Sequence, residues 1–194
     1  VYKRSLFYPL VQNVIEKRVI DGYSKKDSLL IKNPLSYSYY SYNKSVYDGL
    51  LENAKDSMAR NSKLVYAHFM NTHAPFVSDI NGNYKDIYFY PPTVSDYVVQ
   101  IRDLNKKLKY FIELLLKNKE NNRSKIIIIQ ADHGSHLFGK KEMHDIQNSY
   151  YFSDKDYRSL YVSISPINSF RVVLNKYFGE NLPFLPDKEL ELSY

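Results

Sequence analysis

The chain holds five histidines, and one of them stands directly behind an aspartate at the end of an apolar run, IIIIQADHG (126–134). A strand of that composition would deliver the Asp132 carboxylate and the His133 imidazole to its rim, where both are costly to bury unpaired. Carboxylate oxygen and imidazole nitrogen are good ligands for zinc or manganese, so a divalent metal resolves that cost. Gly134 lets the backbone turn where a side chain would crowd a metal or substrate. The plainer reading is a polar strand-end turn, with Asp132 capping the next segment and His133 satisfied by backbone. The spacing alone leaves both readings open.

Four other histidines invite the same question. His73, in THAPF (72–76), is a loop imidazole followed closely by a proline. It can donate a hydrogen bond to a phosphoryl or sulfuryl oxygen, or simply face solvent. His68 falls in an apolar run, on the face of Leu64 and Tyr66, and reads as a structural histidine. His136 and His144 follow the DHG triplet and can complete a metal shell, bind substrate or remain solvated. Arg171 offers an anion clamp or a partner for an acidic side chain.

The elements that must position these residues follow from periodicity. Lys63–Phe69, KLVYAHF, has the β-branched and aromatic content of a strand. After Pro91 and Pro92, a helix capped at Ser95 or Asp96 reaches about Lys117, with the stripe Val98, Ile101, Leu104, Leu108, Phe111, Ile112 and Leu115. Lys125–Ala131 is the next strand, and its unbroken apolar character points to a parallel sheet covered on both faces. Strand 63–69, helix 95–117 and strand 125–131 thus form a βαβ unit. Such a crossover sets its strands parallel and puts Thr72 and His73 on the same sheet edge as Asp132 and His133.

Elsewhere, Leu6–Lys17 and Val46–Ala59 carry helical spacing, while LSYSYYSY (35–42) reads as a strand or a Tyr-rich loop. Ser149–Phe152 and Leu160–Ile164 are short strand candidates. Ser165 as N-cap, Pro166 at the first position and Gly179 beyond the end punctuate a last helix, with Ile167, Phe170, Val173 or Leu174, and Tyr177 facing inward. The tail from Glu180 reads as an extended wrap. The expected organisation is one α/β domain: a helical or irregular segment over 1–62, then an α/β region over 63–194.

Composition narrows the classes. The 27 Lys+Arg against 21 Asp+Glu leave a net charge of +6, favouring anionic partners, but no basic run argues for nucleic acid. Without cysteine there are no disulfides and no thiolate metal site. The 20 tyrosines suit half-wet surfaces such as sugars and lipid headgroups, or reflect a biased genome. No stretch approaches the ~20 apolar residues of a membrane span.

KLVYAHFMNTHAPF followed by IIIIQADHG resembles the sulfatase-like branch of the alkaline phosphatase superfamily, which includes membrane-anchored lipoteichoic acid synthases and phosphoethanolamine transferases. SISPINSFRVVLNKYFGENLPFLPD is similar to the C-terminal part of bacterial sulfatase-like membrane proteins. The resemblance spans about residues 63–187 and implies an alkaline-phosphatase-like α/β fold with a partly parallel sheet and flanking helices. It implies that Asp132 and His133 ligate a divalent metal, zinc or manganese, in the complete enzyme. His73 would contact substrate phosphate or sulfate, with His136 or His144 assisting. The expected substrate is a phosphate- or sulfate-bearing molecule, foremost a phospholipid headgroup and alternatively a sulfate ester, at the extracytoplasmic face of a bacterial membrane. The family's nucleophile and an early acidic ligand have no convincing copy in residues 1–62. This sets the expectation of a C-terminal portion, with the catalytic nucleophile and membrane helices upstream. On its own such a portion would be an inactive, even metal-free, binding or structural unit.

Overall fold

The computed structural model describes residues 34–55, 62–87, 91–117, 124–139 and 141–188, arranged in two compact units, Val1–Asn121 and Asn122–Tyr194. The expected helix Leu6–Lys17 and the end of the chain after residue 188 lie outside the described residues.

In the first unit, helix α1 (Pro34–Lys55) packs against helix α2 (Val94–Lys117). The LSYSYYSY segment is the first half of α1, not a strand or loop. Tyrosine and serine are mediocre helix formers, so packing decides. Tyr37 and Tyr40, three apart on one face, both meet the Tyr84 ring, at 5.3 and 5.5 Å between centroids. Ser36, Asn43 and Leu50 recur every seven residues and are all buried, which defines the inward face.

Helix α2 begins two or three residues earlier than Ser95 or Asp96 as cap would imply. Thr93 is the cap: the Asp96 N–H donates to Thr93 Oγ1 at 3.2 Å, and the Thr93 N–H donates back to Asp96 Oδ2 at 3.3 Å. This is the reciprocal capping box, with the acid three residues behind the cap. The hydroxyl of Thr93 is also the main cause of the lowered Asp96 pKa. The fully buried positions of α2 are the polar Gln100 and Asp103, while the expected apolar stripe is only half-buried.

Residues 63–69 form no strand. Leu64 and Tyr66 are 71% and 65% exposed, and His68 is exposed as well, so it is not the structural histidine its setting suggested. The expected βαβ crossover therefore loses its first strand.

The second unit is built on two strands, β1 (Ile126–Gln130) and β2 (Asn148–Phe152), paired antiparallel with Ile126 opposite Phe152 and Ile128 opposite Tyr150. The apolar strand was expected in a parallel sheet; an antiparallel two-stranded ladder is what the described residues hold. Helix α3 (Pro166–Phe178) lies on one face, where Phe152, Val172 and Val173 form the core with Ile126, Ile128, Tyr150, Leu160, Ile164 and Tyr177. Leu160–Ile164 is a pair of turns rather than a strand.

Helix α3 has the expected boundaries, with Gly179 left-handed at φ 71°. Its buried face is Asn168, Ser169, Val172 and Val173, whereas Ile167 and Phe170 are exposed. The reason is the returning tail, which Asn168, Arg171 and Asn175 hold along one side of the helix. Asn168 exchanges two hydrogen bonds with the Leu185 backbone and Asn175 two with that of Leu182, while Arg171 donates to the Pro183 carbonyl. Among the described residues Arg171 thus binds carbonyls rather than an acidic side chain. Ser165 does not cap through its own side chain; its N–H and hydroxyl both donate to Asp187 of the tail.

Candidate functional site

In the first unit, the loop carrying His73 is anchored on both sides. Upstream, the Met70 N–H donates to Asn43 Oδ1 at 2.7 Å and the Tyr42 hydroxyl to the His68 carbonyl at 2.9 Å. Downstream, Phe76, Val77 and Ser78 are buried. Gln100 clamps Ser78 as a strand neighbour would, donating to its carbonyl at 2.8 Å and accepting from its N–H at 3.3 Å. Beyond it, the Asp79 carboxylate gathers the N–H groups of Asn81 and Asn83, both at 2.8 Å, which lowers its pKa. Gly82 closes that turn at φ 80°, where a Cβ would stand 2.7 Å from Asp103 Oδ1.

Between these anchors Thr72 and His73 are exposed. His73 Nδ1 lies 2.6 Å from the Ala74 carbonyl, which can only accept, so Nδ1 carries the proton and Nε2 is free to face outward chemistry. Asn71, just before them, is buried, and neither of its carboxamide atoms has a hydrogen-bond partner among the described residues. Nothing in the sequence singled it out; an amide buried at such cost beside a candidate histidine is visible only in three dimensions.

In the second unit, the end of β1 is tied down immediately before the DHG triplet. Gln130 Oε1 accepts from Ser169 on α3 at 2.6 Å, and the same hydroxyl meets Tyr150 of β2 at 2.7 Å. The ladder continues one step to Ala131, whose N–H donates to Gln147 at 2.9 Å. Gly134 then passes beneath the turn of residues 142–145, donating its N–H to the Met143 carbonyl at 2.7 Å. An added Cβ there would overlap the Glu142 carbonyl oxygen and stand 2.8 Å from that of Asp145. The glycine is thus required by the approach of another backbone segment.

On this support Asp132 and His133 present their side chains outward, 81% and 41% exposed. Asp132 Oδ1 accepts the His133 N–H at 3.0 Å, and Oδ2 lies 3.8 Å from His133 Nε2. His133 Nδ1 is 2.6 Å from the Gly134 carbonyl and must donate to it. With Nδ1 so committed, the neutral ring leaves Nε2 as its acceptor nitrogen, 3.8 Å from a carboxylate oxygen. Both groups are exposed, so water or a cation can bridge them. Two ligand atoms on a tetrahedral metal at ~2.1 Å stand about 3.4 Å apart, so a small side-chain rotation brings this pair into register. The donor set fits a divalent metal.

The remaining candidates gather only in part. The His136 ring stands edge to face with that of His133, centroids 5.1 Å apart. His144 closes the 3₁₀ turn Glu142–His144 that covers Gly134, and its side chain is exposed. Among the described residues no three metal-competent groups converge. A shallow cavity of about 420 Å³ in this unit is lined by Asp156, Arg158, Ser159, Asn175, Lys176 and Phe184, and by none of the candidate histidines. No helix among the described residues is long and apolar enough to cross a membrane.

The sulfatase family model matches residues 6–173. The chain belongs to the sulfatase family. Comparison with curated proteins and with solved structures gives no match. Family membership agrees with the sulfatase-like, alkaline phosphatase superfamily resemblance of the sequence, and makes this a sulfatase-like hydrolase or transferase chain at the family level. Sulfatases generally use a divalent metal and act on sulfate esters.

Proposed function

We propose that Asp132 and His133 are two ligands of the divalent metal of a sulfatase-type site, which transfers or hydrolyses a phosphoryl or sulfuryl group. One observation carries this reading: the Asp132 Oδ2 to His133 Nε2 separation of 3.8 Å, with His133 Nδ1 held by the Gly134 carbonyl. Holding Nδ1 in this way is how proteins fix the tautomer of a metal-ligating imidazole. A zinc or manganese ion there supplies Lewis acidity and neutralises charge on the transferring group. The Gly134 carbonyl keeps the Nε2 lone pair of His133 aimed outward, and the Tyr150–Ser169–Gln130 network fixes the strand that bears it. His73, with Nδ1 committed to the Ala74 carbonyl, is a candidate contact for a phosphate or sulfate oxygen, the role the family resemblance implies. His144 is a candidate substrate contact. The nucleophile and the further ligands come from outside the described residues.

The favoured substrate is a phospholipid-derived headgroup at the extracytoplasmic face of a membrane, a reading supported by the net charge of +6 and the 20 tyrosines. Sulfate ester hydrolysis is the second reading, favoured by the family match itself. The test is transfer and hydrolysis by the natural full-length protein bearing Asp132→Ala or His133→Ala. Zinc or manganese should restore the chelated wild type and neither variant. Undiminished turnover in both variants refutes the assignment. Turnover of an aryl sulfate ester without turnover of a phosphodiester selects the second reading.

A further inference from the structure

We infer that His136 is a positioning residue for His133: its ring, packed edge to face at 5.1 Å, holds the His133 imidazole in the orientation that leaves Nε2 outward. The inference rests on reading Asp132 and His133 as metal ligands and adds what keeps the second of them in place. Rotation about the last side-chain torsion of histidine is broad and nearly two-fold, so a half-turn exchanges the nitrogen and carbon positions of the ring. A single hydrogen bond, from Nδ1 to the Gly134 carbonyl at 2.6 Å, opposes that half-turn. With His133 41% exposed, water competes for the same groups. A second ring against the first removes the space the turn would sweep.

The local chain explains how His136 comes to be there. Gly134 is fixed beneath the turn of residues 142–145. Ser135 then starts a tight turn, its hydroxyl accepting the Leu137 N–H at 3.2 Å and its carbonyl the Phe138 N–H at 3.5 Å. That turn carries residue 136 back over residue 133. Direct ligation is the competing role for His136. The convergence of only two metal-competent groups among the described residues argues against it.

The test uses the 194-residue chain, uniformly nitrogen-15 labelled, near pH 8, where ordinary imidazoles are neutral. Long-range proton–nitrogen correlation reads which ring nitrogen of His133 is protonated. Competition with a chromophoric chelator reads zinc affinity. The wild type should show His133 protonated at Nδ1 alone. His136→Ala should give mixed tautomers and weaken zinc binding 10–100-fold, the usual cost of losing an outer-shell support, while His136→Phe returns it to within about threefold. Circular dichroism of both variants controls for folding. Unchanged tautomer and affinity in His136→Ala overturn the inference. So does a His136→Phe variant as weak as His136→Ala, since the ring would then act through its nitrogen. If Asp132→Ala binds zinc as the wild type does, the metal reading fails, while the tautomer measurement still decides whether His136 holds the ring.

Discussion

Replacing Gly134 with alanine should unfold the support of the candidate site while leaving its side chains chemically intact. The added methyl would stand 2.8 Å from the Asp145 carbonyl oxygen and overlap that of Glu142. The first contact alone is about half an ångström inside an ordinary C···O approach. The Glu142–Asp145 turn must therefore move, breaking the 2.7 Å bond from the Gly134 N–H to Met143. Losing that bond costs about 1 kcal/mol and the overpacking about 1–3, giving roughly 2–4 kcal/mol. Urea unfolding of the second unit, followed by far-ultraviolet circular dichroism, measures the shift. Gly179→Ala is the control, because nothing lies within 4 Å of its added methyl and only the left-handed φ of 71° opposes it, at about 1–2 kcal/mol. A Gly134→Ala variant within about 0.5 kcal/mol of wild type, below its control, would refute the close-approach argument.

Other expectations follow from single residues. Asn168→Ala should cost about 2–4 kcal/mol in the same assay, since it releases the Leu185 N–H and carbonyl together with Asp187. Protease sensitivity around residues 182–187 should rise with it. Asn71→Leu should be neutral or stabilising by about 1–3 kcal/mol, because it removes two buried atoms without a partner among the described residues; a destabilised variant would mean the carboxamide is satisfied in solution. The Asp187 carboxyl is held well below the usual carboxylate range, first by the Ser165 hydroxyl and then by Tyr161. A depressed folded-state pKa stabilises the fold above the unfolded value of about 3.9 and loses that contribution as pH falls through the folded value. Asp187→Asn should therefore flatten the acid limb of the stability profile below about pH 4, and an unchanged limb would contradict this.

The parts of the fold legible in the sequence were those whose signal is local. The capped, glycine-terminated helix 166–178 and the four isoleucines of β1 declare themselves through neighbours in the chain. The partner of that strand does not: an apolar run carries no direction, and β2 arrives antiparallel. LSYSYYSY alternates like a strand, yet it is helical because Tyr84 offers both tyrosines of one face a shared ring contact. Gln100 and Asn168 are polar and buried because their partners are the backbones of Ser78 and Leu185, which no periodicity reveals. Thr93, a threonine three residues ahead of an aspartate, carries the capping-box pattern, but Ser95 and Asp96 just downstream are also competent cap residues. At the site, Asp132 and His133 could be read as a pair from the strand end they occupy. The ring contact of His136 and the buried amide of Asn71 depend on how tight turns place side chains, which residue types alone do not reveal.

Anomalous diffraction from crystals of the chain grown with zinc tests the metal assignment most directly. A peak about 2.0–2.2 Å from both His133 Nε2 and an Asp132 carboxylate oxygen is the predicted result. Zinc bound elsewhere with none at this strand end, or bound through His133 Nδ1, would contradict the account.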